Sequence, residues 1–429
     1  MIISMETNQV IEKTARDAYG RLLSYLAVHW RDLQAVEDAI GDAFLAALET
    51  WPKVGVPDKP EAWLITAARR RLIDRARRTR ISESALPTLL VMSEDTQRLT
   101  SSSAAFPDER LRMMFLCTHP AIDPVMRTPL MLQTVLGIDA ARIAAAFIIK
   151  PSTMSQRLTR VKAKIRAERL IFEMPDAEEI PNRLDSVLEA TYAAYGSGWG
   201  EAAIADSSRK RLEEEAIYLG KLLLQFAPRE PEVYGLLALM LHCEARREAR
   251  YDDEGNYVPL SEQKCSRWNQ SLIMEAERYL HNASQAGGIG RFQLMAAIQS
   301  VHAQRLWTGR IEWEAIAQLY EGLICMYPSL GALVGRAAAV AEAYGAERGI
   351  TLLEAIPSEK VVNYQPYWAL AGHLYKRMNR IEDARSAYSH AIGLSTDVSV
   401  RQFLSRQASA KSIGIDKKIS GSALNLPLQ

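Results

Sequence analysis

The stretch that most limits what this chain can fold into runs from Asp139 to Arg166, DAARIAAAFIIKPSTMSQRLTRVKAKIR. Its pattern predicts a short helix over Asp139 to Phe147, a tight connection Ile148-Ile149-Lys150-Pro151, and a second helix from about Ser152 to Arg166. In the second helix Met154, Leu158, Val161 and Ile165 recur at i, i+4, i+7 and i+11, forming one apolar face. The opposite face carries Thr153, Gln156, Arg157, Arg160 and Lys164. A helix held by its apolar side and offering amides, hydroxyls and guanidinium groups outward is what a helix-turn-helix requires to enter a major groove. The same pattern also serves an ordinary basic surface helix, so the rest of the chain has to decide.

At 429 residues the chain is too long for one hydrophobic core, and about two to four domains are expected. Hydrophobic content of 48% and charged content of 24% are those of a globular protein rather than a disordered one. Net charge is only +1, so any nucleic-acid contact must come from a local patch rather than from the whole chain. Cys117, Cys243, Cys265 and Cys325 form no CxxC pair, which argues against a zinc knuckle or a disulfide framework. The N-terminal MIISMETNQV is no signal sequence, and no apolar run reaches about 18 residues, so a cytoplasmic protein without membrane contact is expected. Alternating β patterns are sparse, while Ala, Leu, Arg and Glu recur at helical spacing; the fold class expected is all-α.

Residues 8–80 read as one small helical domain. Its first helix, about Val10 to Val28, turns Ala18, Leu22, Tyr25 and Leu26 inward. Its second, Leu33 to Leu48, has Val36, Ile40, Phe44, Ala47 and Leu48 on one side, with Glu37, Asp38 and Asp42 off it. Residues 51–60, WPKVGVPDKP, form a loop by their Pro and Gly content. The third helix runs from Glu61 past Arg78 and places seven arginines between Arg69 and Arg80 against one acid, Asp74. Like charges at such spacing repel unless something neutralises them, and a phosphate backbone does so. A generic basic or RNA-binding helix is the plainer alternative. Residues 81–107 lose periodicity and gather Ser and Thr, as a flexible linker does. Its 27 residues reach roughly 90 Å at full extension. Residues 108–172 form a second small domain that contains the opening stretch.

These signals together resemble an extracytoplasmic-function (ECF) RNA polymerase sigma factor of the sigma-70 family. Glu37-Asp38-Ala39-Ile40-Gly41-Asp42-Ala43-Phe44 is similar to the family's region 2.2 motif. Trp63-Leu64-Ile65-Thr66-Ala67-Ala68-Arg69-Arg70-Arg71-Leu72-Ile73-Asp74-Arg75 is similar to regions 2.3 to 2.4, with Arg70 where the family usually has Asn. Ile143 to Phe147 and Thr153 to Lys162 resemble the region 4.2 helix-turn-helix. The resemblance implies core RNA polymerase as partner, through its β-prime clamp helices and β flap, with Glu37, Asp38, Asp42 and Phe44 in the contact. It implies promoter DNA as the second partner. Trp63, Arg69, Arg70, Arg71, Asp74, Arg75, Arg77 and Arg78 would then hold the −10 element. Thr153, Gln156, Arg157, Arg160, Lys162 and Lys164 would read the −35 element, the last two on phosphates. The 51–60 loop would capture a flipped base, with Trp51 and Trp63 near it or simply in the core.

The remainder resembles the subgroup with a long C-terminal helical extension, on Phe115 to Pro120, Glu232 to His242 and Ser266 to Asn269. Residues 176–290 read as mixed-charge helices, with 251–260 as a short exposed hairpin or loop around Gly255-Asn256. Within 291–410, Trp368, Gly372, Tyr375, Ala384, Tyr388 and Ala391 fall at offsets 4, 8, 11, 20, 24 and 27 of a 34-residue tetratricopeptide-like (TPR-like) repeat, and Trp313 to Tyr344 looks like a degenerate unit. The expected fold is therefore two small sigma domains followed by a TPR-like α-solenoid, with residues 411–429 as a tail. The solenoid would regulate activity through a protein partner or an intramolecular contact, or act only as a stabilising block.

Cys117 with His119, and His242 with Cys243, lack further ligands and read as buried residues rather than metal sites. Ala286 to Gly290 lacks the Lys-Ser/Thr of a phosphate loop and reads as a helix stop. Glu213 to Glu215 and Asp252-Asp253 read as solvated acids. No nucleophilic constellation stands out, so neither a catalytic activity nor a cofactor is expected. Two other classes compete: a helix-turn-helix regulator that senses a ligand or protein through its helical repeats, and a repeat scaffold that only binds partners.

Overall fold

The computed structural model of the chain describes residues 2–30, 32–78, 108–147, 149–170, 175–176, 178–197 and 207–409. The linker expected over 81–107 and the tail expected over 411–429 lie outside the described residues. Among the described residues there are 20 α-helices and no strand; Tyr251 and Tyr257 make one isolated antiparallel bridge. No described helix is long and apolar enough to cross a membrane. The chain divides into two compact units, Met1–Ala194 and Tyr195–Gln429.

The first unit is built on α1 (Ile2–Trp30), α2 (Leu33–Val54) and α3 (Pro60–Arg78). Asp32 starts α2 by accepting from the Ala35 amide at 3.1 Å, meeting one of the donors a helix N-terminus leaves unpaired. Ala18, Leu22, Tyr25 and Leu26 of α1 close on Val36, Ile40 and Ala47 of α2 and Leu64, Ile65, Ala68 and Leu72 of α3. Trp51 lies in this core, edge-on to Trp63 with ring centroids 5.4 Å apart. It belongs to α2 rather than to a loop: the helix carries through Pro52 to Val54, and Gly55 (φ 92°) ends it. Pro52 can give no ladder bond to the Leu48 carbonyl and its ring crowds that carbonyl, and the helix ends two residues later. Leu48 departs from its expected inward position and is 45% exposed.

Helices α4 (Arg110–Cys117), α5 (Pro124–Thr134), α6 (Ala140–Ala146) and α7 (Pro151–Ala167) follow. Asp123 and Asp139 cap α5 and α6 by accepting amides at the first turn, and Pro151 stands at the first turn of α7, where a missing N–H costs nothing. Met154, Leu158 and Ile165 are buried as the register predicts. Helix α8 (Ile180–Ser197) brings Arg183 under α4, where its guanidinium donates to the Phe115 carbonyl and to Thr118 Oγ1. These helices do not stand apart from α1–α3. Both α4 and α5 pack on α1, and α7 packs on α2.

The second unit is a stack in which successive helices touch their neighbours. It comprises α9 (Ser207–Phe226), α10 (Pro231–Glu244), α11 (Gln270–Ala286), α12 (Arg291–Ala303), α13 (Arg305–Thr308), α14 (Trp313–Met326), α15 (Leu330–Tyr344), α16 (Ala346–Glu354), α17 (Ser358–Val361), α18 (Gln365–Arg377), α19 (Ile381–Leu394) and α20 (Val398–Ser409). Glu232 of α10 caps α12 from outside, accepting from the Phe292 and Gln293 amides at 2.8 and 3.0 Å. Gly235, one turn on, allows the α12 backbone to approach: a Cβ there would lie 2.6 Å from the Gln293 nitrogen. The six positions counted over 365–391 occupy one helix pair, α18 and α19. A Cβ on Gly372 would lie 2.8 Å from the Tyr388 ring, so only glycine leaves room for the ring, and Ala384 and Ala391 are buried in the same cluster.

Several local expectations change. Residues 251–257 turn at Gly255 (φ 80°) with Asp252, Asp253 and Glu254 exposed as expected, but the turn is also anchored: Tyr257 is buried with Tyr388 and Leu404, Ser399 Oγ donates to the Gly255 carbonyl, and Arg406 donates to Asn256 Oδ1. Glu213 is buried and paired with Arg247 rather than solvated, so it neutralises a half-buried guanidinium. Gly287 (φ 82°) ends α11, as a helix stop should. His242 and His302 are buried near Arg246, and His242 Nε2 lies 3.4 Å from a Glu277 carboxylate oxygen. Burial, with the Arg246 charge adding to it, pulls both imidazoles down to about 3.

Two outcomes are expected. Gly235→Ala, which sets a methyl against the α12 backbone, should lower stability by about 1–3 kcal/mol in thermal unfolding of the full chain, whereas Gly393→Ala, with open space around it, should change it by under about 0.5 kcal/mol. His242 and His302 have folded-state pKa values below the ordinary 6.5. Their contribution is therefore complete above about pH 6.5 and is lost as pH falls toward about 3. Stability measured by denaturant titration should decline across that window, and His302→Gln should flatten the decline by roughly one proton's worth.

Candidate functional site

Two surfaces of the first unit carry the residues singled out by sequence. The first is the outer side of α2. Asp38 and Asp42 are exposed, and Gly41, Leu45, Leu48 and Glu49 extend the same side along the helix. Leu45 is 61% exposed. The combination is an apolar strip edged by carboxylates, suited to a partner helix with apolar and basic groups. Leu45 and Leu48 were not among the expected contact residues, and their exposure is the signal that adds them. Phe44 is half-buried against the α1–α3 core and supports the strip from behind. Glu37, at the N-terminal end of the strip, is not open to solvent.

The second surface is basic. On α3, Arg70, Arg71, Asp74, Arg75 and Arg77 are exposed, while Arg69 is buried and Trp63 half-buried against the core. The side chain of Arg78 lies outside the described residues. Arg75 donates to Asp38 at 2.9 Å, so the basic row of α3 and the acidic strip of α2 meet along one edge. The loop 55–59 between α2 and α3 is largely exposed, and the following turn is tied to α1 by the Arg21–Glu61 ion pair. On α7, Gln156, Arg157 and Arg160 are exposed on the side opposite Met154 and Leu158, and Thr153 is half-buried. Pro151 starts the helix so that these side chains fall in its first turns, the end from which a recognition helix addresses a groove.

Lys164 is exposed, as expected, whereas Lys162 departs from the outward, phosphate-facing position expected of it. Lys164 donates its Nζ to the Ala121 carbonyl at 2.7 Å and lies 3.7 Å from the Glu168 carboxylate. Lys162 is buried, and its ammonium donates to both oxygens of Glu37, at 2.5 and 2.6 Å. Burial raises the Glu37 carboxyl above the usual range, and the Lys162 charge and hydrogen bond oppose that rise. A second pair lies beside it, Arg166 Nε to Asp32 at 3.2 Å. The structure thus brings two expected site residues together, Glu37 and Lys162, from surfaces expected to serve different partners.

Nothing in this arrangement holds a metal: among the described residues no group of three or more His, Cys, Asp or Glu has the required proximity. Cys117 is buried with its thiol 3.5 Å from Thr134 Oγ1, and burial pushes that thiol up to about 12. His119 accepts from the Ala121 amide at 3.1 Å and serves the turn after α4.

Comparison with known proteins accords with this geometry. Residues 11–81, which include all of α2 and α3, match Sigma-70 region 2. Residues 183–284 match a family of unknown function, DUF6596. An uncharacterized protein of Rhizobium meliloti (strain 1021) is 34% identical over 395 residues, covering 91% of this chain and 92% of the relative. No solved structure matches the chain. The region 2 match supports a sigma-factor-like role in transcription initiation, with RNA polymerase and promoter DNA as partners in general. Residues 11–81 thus carry a Sigma-70 region 2, and over nearly its whole length the chain belongs to one family with the uncharacterized Rhizobium meliloti protein.

Proposed function

We propose that the chain is a sigma factor of the ECF type, in which α1–α3 dock on core polymerase and engage the −10 element while α6 and α7 read the −35 element as a helix-turn-helix. The observation that carries this reading is the two-faced character of α7 on the same chain as a sigma-70 region 2. Gln156, Arg157 and Arg160 are exposed on one side, and Met154, Leu158 and Ile165 are buried on the other. In this reading Asp38, Asp42, Leu45 and Leu48 contact the clamp helices of the polymerase. Arg70, Arg71, Arg75 and Arg77 follow the DNA backbone, with Asp74 among them. Arg69 supports the helix from inside, and Trp51 and Trp63 hold the base of the 55–59 loop. The second unit, a TPR-like stack, sets the activity of the first. Support for that role is the helix pair at 365–394, whose glycine, alanine and aromatic positions follow the 34-residue pattern.

The test is run-off transcription with purified core polymerase on a pool of genomic promoters, comparing the full chain with residues 1–194. The truncation keeps Arg183, which holds α4 through Phe115 and Thr118. Core-dependent initiation by the full chain is expected, and the ratio between the two proteins gives the sign of the second unit's effect. Absence of both initiation and co-elution with core overturns the reading in favour of a ligand-sensing DNA-binding regulator. Arg157→Ala and Arg160→Ala should each cost about 1–3 kcal/mol at one base position if they pair with bases, and weaken all sequences alike if they contact phosphates.

A further inference from the structure

We infer that the second unit binds a small carboxylate ligand between α10 and α12, held by the guanidinium of Arg246. This is independent of the sigma reading, since it concerns residues of the second unit alone. His242 and Arg246 stand four residues apart at the end of α10, and Gln299 and His302 three apart on α12, spacings that put each pair on one side of its helix. The two helices pack on each other, and Arg246 Nη2 donates to Gln299 Oε1 across the contact. All four side chains are buried: Arg246 is 5% exposed, His242 1% and His302 3%.

A guanidinium keeps its proton at any ordinary pH, so a buried one requires an opposite charge. Among the described residues Arg246 meets none. The groups that bear most on its charge are the Cys243 thiol, the Tyr195 phenol and the Arg250 guanidinium, with no carboxylate among them. Burial pushes the Cys243 thiol up, so it supplies no anion. The next residue makes the contrast, for Arg247 pairs with both Glu213 and Glu244. Glu277 of α11 is half-exposed, accepts from the Ser300 hydroxyl at 2.6 Å and lies 3.4 Å from His242 Nε2. Among the described residues, Arg246 Nη1, both nitrogens of His242 and Nδ1 of His302 have no hydrogen-bond partner.

These unmet groups specify what fits. Burial keeps both imidazoles uncharged, so the site carries the single positive charge of Arg246. One carboxylate cancels that charge, whereas a doubly charged phosphate would leave a net negative charge in the interior. The two oxygens of a carboxylate also match the parallel N–H bonds of a guanidinium fork. One arm of the fork holds Gln299 Oε1, a neutral oxygen standing where a carboxylate oxygen would, and the other arm is open. His242 and His302 both feel the Arg246 charge, and each has a nitrogen left to donate to the same anion. Once occupied, the site fastens the late part of α10 to α12, two helices whose first turns are already joined by Glu232.

The test uses the full chain near neutral pH in low salt, with sodium formate and sodium acetate as probes and sodium chloride at equal concentration as the control. The carboxylates should raise the unfolding temperature saturably, by roughly 2–4 °C once they exceed their Kd about fivefold. They should also slow hydrogen exchange in peptides covering 242–250 and 291–303. Gln299→Glu builds a carboxylate onto the same fork, so it should raise the unfolding temperature with nothing added and abolish the response. Arg246→Met removes the unmatched charge and should abolish the response as well. An equal response to chloride overturns the carboxylate assignment in favour of a site for any small anion. Absence of a carboxylate response in the wild type overturns it too, as does a full response, or a lower unfolding temperature, in Gln299→Glu. If Arg246→Met does not fold, Gln299→Glu decides alone.

Discussion

A lysine and a glutamate taken out of water together must satisfy each other, and the arrangement of the first unit follows from that requirement. Glu37 lies on α2 and Lys162 on α7, 125 residues apart in sequence. Helices α4 and α5 also rest on α1, through a glycine that lets two backbones approach. Arg183 then fixes α4 from below by donating to the Phe115 carbonyl and to Thr118 Oγ1. Read in chain order these are separate motifs; packed together they make a single core with charge inside it.

Much of this was legible in the sequence, and what was not has a common cause. Periodicity placed Leu22, Leu26, Ile40, Leu158 and Ile165 inward, and all are buried. The same arithmetic applies to Lys162, four residues after Leu158 and three before Ile165, and to Arg69, four after Ile65 and three before Leu72. Both are buried. Their charge led to grouping with the exposed basic residues, when position on the helix was the better guide. Leu48 fails in the opposite direction. Counted from Val36 at about 100° per residue, it lies roughly 120° off the inner face. Gly20 and Gly137 gave no warning, since a close approach between distant backbones leaves no local pattern.

In the second unit the residues that suggested a particular subgroup have physical duties. Glu232 caps α12 across the stack, and Gly235 admits its backbone. Trp268 is buried, donates to Gln263 Oε1 at 3.2 Å, and lies under the Arg305 guanidinium, while Asn269 caps α11. These contacts order the chain between α10 and α11, a segment of turns and short 3-10 helices that could not hold its course by periodicity.

That segment has a consequence for how the stack comes apart. In a linear array each helix pair depends on its immediate neighbours, so the ends fray first and unfolding creeps inward. Here Tyr257 sits in one cluster with Tyr388 and Leu404, and Asn256 accepts from Arg406, joining the early part of the array to its last helix across 150 residues. A line whose far end is fastened back to its beginning has lost the free end from which fraying starts. Its helices share one fate, and a change felt at α20 is felt at once beside α10.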